Sequence, residues 1–321
     1  MDKIILSRKE KTDVLSILKY ISPTDLSIDV FQKINIALKV PITLIELTIL
    51  HLENLFCLQT IQDKIVFKGG TAVQNYISDT FQRCSVDLDF NTSLHHPEQV
   101  KSLINDLNRY LEEKKMMKKI KGIPYGLLLF EKQDIRSGTL TYSRLMPSRL
   151  NEFIKFQETL VQGKKMRIQI NYKHAWMPAL KTKRRKISIF PVKYISTIDT
   201  SYKINICSTG DLLADKILTL TQIGHFGRER LKDVYDLILL TKYYRNKLPL
   251  AKQKLEKIAD MNQLSYSALL ETSIDHLHSF KDDRTKILGL KSQVAIEGKK
   301  LVDSWDLELD SLIEALETIN V

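Results

Sequence analysis

The sequence predicts an α+β protein, with a mixed-sheet core over residues 64–207, helices before it and an all-helical half after it. Three observations predict this. Short β-branched or aromatic runs recur between residues 64 and 207, apolar residues fall at helical spacing on both sides of that span, and a Gly-Gly step separates the first run from a helical stretch. The division that follows is a helical segment at 1–63, an α/β core at 64–207 and a helical domain at 208–321 that packs on the core.

Taken in order, "EKTDVLSILKYI" repeats Val14, Ile17, Leu18 and Ile21 at helical spacing, and "PITLIELTILHLENLFCLQTI" does so over a longer span, with "SPTDLS" and "KVP" as breaks. "KIVFK" (64–68) then reads as a strand, stopped by Gly69 and Gly70. "TAVQNYISDTF" is helical in period and "VDLDF" (86–90) is again a strand, so the segment is a compact strand, turn, helix, strand unit. Further strands are predicted at "GLLLFEK" (126–132), "KMRIQINY" (165–172), "KISIFPVKYIS" (186–196) and "YKINIC" (202–207). Ser208 and Asp211 have capping-box spacing at the head of "STGDLLADKILTLTQI", and helical segments continue through "LKDVYDLILLTKYY", "LAKQKLEKIADM" and "WDLELDSLIEALETI".

Composition narrows the class. Hydrophobic residues at 43% and charged residues at 27% are globular values rather than disordered ones. Uncharged apolar stretches such as "VPITLI" are too short to cross a bilayer, and "MDKIILSRKEK" has no signal-peptide pattern, so the expectation is a cytoplasmic protein without a membrane partner. Cys57, Cys84 and Cys207 form no CxxC pair and read as buried thiols. A net charge of +11 suggests a polyanionic partner. The excess gathers in "EEKKMMKKIKG" (112–122) and "KTKRRK" (181–186), which taken singly read as a solvated helix face and a loop.

Chemistry concentrates in residues 66–90. Side chains alternate faces on a strand, so Asp87 and Asp89 share one side while Val86, Leu88 and Phe90 take the other. Two carboxylates so close repel unless a cation sits between them, and Mg²⁺ (or Mn²⁺) suits oxygen ligands completed by substrate phosphates. Gly69 and Gly70 permit close backbone approach, and Thr71 is a suitable N-cap for the following helix, whose free amides would cradle phosphate. A phosphate turn beside a metal-binding strand is what phosphoryl transfer needs.

"KGGTA" followed by "RCSVDLDF" resembles the signature of the AbiEii/AbiGii-type nucleotidyltransferase toxins, relatives of the MenT toxins in the DNA polymerase β-like superfamily. "DLLADKILTL" (211–220) and "RERLKDVYDLILL" (228–240) resemble that family's later helices, in the expected order. The resemblance covers about residues 64–240 and implies a polymerase β-like core, an NTP substrate and a divalent metal held by Asp87 and Asp89. It implies catalytic roles for Asp87, Asp89, Lys216 and Asp233. Nucleotide contacts are implied for Lys68, Gly69, Gly70, Thr71, Arg83, Ser85, Lys216, Arg228, Lys232 and Asp236. Lys232 and Asp236 also have the spacing of a simple helical ion pair. The departure lies in "RIQIN", where Gln169 and Asn171 stand in place of the third carboxylate many superfamily members carry.

The function implied is NMP transfer to RNA, with the tRNA 3′ end as expected acceptor, by a toxin with a cognate antitoxin in toxin–antitoxin or phage-defence biology. Transfer to a protein side chain and a catalytically inactive nucleotide- or RNA-binding regulator are the alternatives. A DxD glycosyltransferase is disfavoured, because Gly-Gly-Thr so shortly before the aspartates is not its arrangement.

Overall fold

The computed structural model describes residues 28–85, 87–120, 123–147, 163–172, 182–189, 203–221, 231–281 and 284–320. The helix predicted at 10–21, Val86 and Arg228 lie outside them. Seven strands make one mixed sheet in the order β5-β6-β7-β2-β1-β9-β8. They are β1 (Ile65–Lys68), β2 (Asp87–Thr92), β5 (Leu128–Asp134), β6 (Thr139–Pro147), β7 (Gly163–Asn171), β8 (Thr182–Lys186) and β9 (Lys203–Cys207). A separate hairpin pairs β3 (Lys118–Ile120) with β4 (Ile123–Tyr125).

The site strand β2 is central. It runs antiparallel to β1, with Lys68 opposite Asp89, and parallel to β7, with Asp87 opposite Arg167 and Asp89 opposite Gln169. Leu88 and Phe90 are fully buried on the other face, where the Phe67 and Phe90 rings lie 5.2 Å apart. The C-terminal end of helix Ile42–Cys57 reaches that face through Asn54 and Cys57. Arg144 of β6, wholly buried there, donates through Nε to the Gly126 carbonyl at 2.9 Å and through Nη1 to Asn54 at 3.3 Å and to the Cys57 sulfur at 2.5 Å. By length and composition alone the stretch Ile42–Ile61 could span a membrane; in the fold it is a core helix, with Ile45, Ile49, Leu52 and Leu55 essentially inaccessible.

On the carboxylate face stand the short helix Gly69–Val73 and, packed on it, helices Thr209–Leu220 and Leu231–Tyr244. The first of these long helices starts as its sequence indicates, with the Ser208 hydroxyl accepting from the Asp211 amide at 3.2 Å.

Three sequence expectations are corrected. A strand lies at Thr182–Lys186, inside the basic run, and 187–189 do not continue it, whereas the rest of the strand expected at 186–196 lies outside the described residues; a sheet edge tolerates charge, and lysines there discourage edge-to-edge pairing. The other basic run is a helix end followed by a hairpin rather than a helix face, and Lys115 makes the break with φ +56°. Strand β6 had no counterpart in the reading, because Thr139, Thr141 and Ser143 on one side and Arg144 on the other mute its apolar alternation.

The helical half grips the loop that leads into β2. Cys84 donates its amide to Gln293 at 2.9 Å, Ala295 donates to Gln82 at 2.8 Å, and Arg83 and Val294 form an antiparallel bridge. The buried Tyr235 hydroxyl donates to the Phe81 carbonyl at 2.5 Å. Tyr235→Phe should therefore lower stability by about 0.5–1.5 kcal/mol. It should also speed amide exchange at residues 81–84 more than in the sheet, measured by urea titration and hydrogen exchange.

Candidate active site

The glycine turn is built by what its residues lack. Gly69 has φ +74°, a backbone state L side chains rarely adopt. A Cβ there would fall 2.3 Å from the Asp89 Oδ2, so the carboxyl lies directly against the turn. Gly70 faces the opposite charge, for a Cβ on it would fall 2.0 Å from the Arg83 Nη2. The turn thus separates an acidic sheet face from a buried basic group.

The helix after it starts at Gly69, with Lys68 as the cap residue and no side-chain cap. This corrects the expectation for Thr71, which is buried inside the first turn and donates its hydroxyl to the Asp87 carbonyl at 2.7 Å. The Ser85 hydroxyl approaches the same carbonyl at 3.5 Å. Nor does the helix run on through residue 81. Gln74 donates to the Gly70 carbonyl, and Asn75 to Thr71 and Ala72, so side chains take the carbonyls that a longer helix would use.

Asp87 and Asp89 are half-buried on the same face of β2. Burial is the main cause that pushes the Asp89 carboxyl up to about 6; Lys68 opposes the rise and Asp87 adds to it. Lys68 is held by Asp215, Nζ to Oδ1 3.1 Å. Burial works against its charge, but Asp215 and Asp89 outweigh it and its pKa is raised. Asp215 was missed by the sequence reading. It sits beside Lys216 in the acid–lysine pair of "LLADK", which was the available signal.

Behind the turn lies a second cluster. Arg83 forms a bidentate pair with Asp236, Nε to Oδ1 2.8 Å and Nη2 to Oδ2 2.7 Å, with both side chains buried. Lys216 joins it, bonded to Asp233 and 2.9 Å from the Asp236 Oδ2. Burial opposes the Lys216 charge, yet the two aspartates prevail and raise its pKa. Arg83, Asp236 and Lys216 therefore face each other beneath the turn and not the open side. Asp236 is engaged by Arg83 and Lys216, so the helical pair expected between it and Lys232 is replaced by these longer-range bonds. Lys232 is half-buried on the neighbouring helix turn; burial and the Arg83 charge lower its pKa, and it lies within electrostatic reach of Asp87.

On the far side of β2, Gln169 stands beside Asp89 where a third acid was sought, and Asn171 donates to Asn91 at 3.3 Å. Arg167 is about half exposed, with Nη1 3.9 Å from the Asp87 Oδ1. That separation exceeds a hydrogen bond. The donors fit a hard divalent cation: two carboxylates on one strand face, one of them buried enough to resist ionisation without a cation. Among the described residues no three His, Cys, Asp or Glu side chains converge on one point, so the fit is to an ion completed by substrate oxygens.

The mixed sheet, the glycine turn and the paired aspartates agree with a nucleotidyltransferase, the class that the family match gives. The chain belongs to the AbiEii nucleotidyl transferase toxin family of type IV toxin–antitoxin systems, whose sequence profile matches residues 52–296. Among solved structures, a presumed nucleotidyltransferase from H. pylori shares 17% identity over 82% of this chain and 90% of its own, with TM-score 0.38. An antigenic nucleotidyltransferase-like protein from Paracoccidioides brasiliensis shares 14% over 66% of this chain and 88% of its own, with TM-score 0.34. Comparison with curated protein sequences gives no match.

Two substitutions probe this geometry. Gly70→Ala should displace the Arg83 guanidinium and break a buried pair, costing roughly 3–5 kcal/mol and all activity, read by thermal unfolding and turnover. Asp89 is protonated more readily folded than unfolded, so its ionisation destabilises the fold as pH rises from its ordinary range toward about 6, and the deficit persists above. Asp89→Asn should therefore raise the neutral-pH melting temperature by ~2–4 °C, lose that advantage near pH ~4, and abolish stabilisation by NTP with Mg²⁺.

Proposed function

We propose that the protein transfers the monophosphate of an NTP to a hydroxyl of RNA, with the 3′ end of a tRNA as the target, and that this modification blocks translation. The observation that carries the reading is the Asp89 carboxyl pressed against the Gly69 backbone, with Asp87 one step along the same face. Membership of a type IV toxin family implies NTP as substrate and a cognate antitoxin. The net charge of +11 supports a polyanionic acceptor, and phage defence is the biological setting we infer from the family.

In this reading Asp87 and Asp89 hold a divalent ion, which when bound supplies charge neutralisation at the reacting phosphate. Backbone amides of residues 69–71 orient the triphosphate, and the Lys68 and Lys232 ammonium groups offset its charge. Arg83, Lys216, Asp233 and Asp236 keep the turn rigid from behind. The acceptor oxygen bonds to the α-phosphorus as the bond from that phosphorus to the bridging oxygen breaks. Pyrophosphate leaves and the hydroxyl proton passes to solvent. Most of the acceleration comes from positioning.

Purified protein incubated with each labelled NTP, Mg²⁺ and either tRNA or a protein extract tests this. Label should enter tRNA, and Asp87→Ala or Asp89→Ala should reduce incorporation at least ~10³-fold, the scale of losing a principal electrostatic group. Label confined to protein would replace the RNA acceptor with a side chain. Growth inhibition that survives both substitutions would point to an inactive binding regulator.

A further inference from the structure

Strand β2 has two flanks, and only one is occupied by the glycine turn. On the other, the register sets Arg167 beside Asp87 and Gln169 beside Asp89, all on one face, with Thr141 of β6 next to Gln169. In-line transfer requires the attacking and leaving oxygens on opposite sides of the phosphorus. If the triphosphate lies over residues 69–71, the attacking hydroxyl arrives over β7.

The cations of the site differ in how they are engaged. Lys68 is held by Asp215, Arg83 by Asp236 and Lys216 by Asp233 and Asp236. Lys165, two residues before Arg167 on the same strand, is paired with Glu131. Arg167 is 53% exposed, and its ionic partner among the described residues is Asp87 at 3.9 Å. A divalent ion on Asp87 would repel the guanidinium and take its partner, leaving a planar, permanently charged donor fork next to the reaction centre. That fork matches a phosphodiester in bidentate fashion. Gln169, half-buried, adds an amide that both donates and accepts, suited to a ribose hydroxyl.

We propose that Arg167 and Gln169 form the acceptor subsite, with Arg167 clamping the phosphodiester adjacent to the reacting hydroxyl of an RNA strand. The assignment rests on the nucleotidyltransferase reading above and adds to it which residues receive the second substrate. It also gives a role to the position where a third carboxylate is absent: that flank is built to hold an anion.

The test compares wild type, Arg167→Ala, Arg167→Lys, Arg167→Glu and Gln169→Ala. NTP affinity is read by thermal shift with Mg²⁺, and binding of a fluorescent tRNA acceptor-stem oligonucleotide by anisotropy across a salt series. Arg167→Ala should weaken RNA binding about 10-fold, and the slope of log K against log salt should fall by about one. NTP affinity should stay within about twofold, because the triphosphate lies on the other flank. Arg167→Lys should recover part of the loss and Arg167→Glu should exceed it; Gln169→Ala should raise the RNA KM without changing the salt slope. Unchanged RNA affinity and slope in Arg167→Ala would overturn the proposal, as would an equal loss of NTP and RNA affinity. Arg167-dependent labelling of protein rather than RNA would overturn the choice of acceptor. Failure of the nucleotidyltransferase reading looks different: Asp89→Ala would keep NTP stabilisation while the Arg167 series still weakened RNA binding.

Discussion

Everything in the site depends on two missing methyl groups. At residue 69 a carboxyl oxygen of Asp89 occupies the space that a Cβ would need, and at residue 70 a nitrogen of Arg83 does the same from the other side. The turn is consequently a thin backbone wall with an acid in front and a guanidinium behind. In the proposed reaction, substrate phosphates at such a wall would meet backbone amides and an ion held by the Asp89 carboxyl that lies against it. No other residue type permits that approach on both sides at once.

The wall is held by charge rather than by a long helix. The helix following the turn has five residues, too short for a substantial dipole, and it is braced by the Arg83–Asp236–Lys216–Asp233 cluster. Asp215 and Lys216 are adjacent on one helix: the first fixes Lys68 beside the sheet carboxylates, and the second joins the buried cluster while lying within electrostatic reach of Asp89. One helical step thus registers the helical half against both the sheet carboxylates and the buried cluster. The bridge between residues 82–84 and 293–295 adds a backbone connection to the same loop.

Which parts of this were legible in the sequence follows from distance along the chain. Asp87 and Asp89 sharing a face, the Gly-Gly turn and the Ser208 cap each need only a few neighbouring residues, and local periodicity reveals them. The Arg83–Asp236 pair joins residues 153 apart, and Lys68–Asp215 joins residues 147 apart. Such contacts depend on strand order, which a single sequence does not specify. Thr71 shows a subtler failure. Its type suits a cap, but the left-handed Gly69 lets the helix begin three residues earlier, with Lys68 as the cap, and turns the hydroxyl toward β2. The basic run at 181–186 misled because loops and edge strands both accept charge, and only pairing with β9 separates them.

The replacement on β7 changes the electrostatic logic of the fold. A third carboxylate beside Asp87 and Asp89 would raise the cost of assembling the acids and favour a second cation to balance them. With Gln169 at that position, the acid count stays at two, and Lys68 already offsets part of it in the absence of substrate. Arg167 then serves two states. Without a divalent ion it lies 3.9 Å from Asp87 and eases the repulsion between the aspartates; with the ion in place that same charge is repelled toward whatever anion approaches over β7. If Arg167 is the acceptor clamp proposed above, the exchange would link metal binding to acceptor binding through a single side chain, an acceptor phosphate being favoured once an ion sits on Asp87. By linkage that preference would be reciprocal, and its size is bounded by the twofold limit expected for NTP affinity in Arg167→Ala.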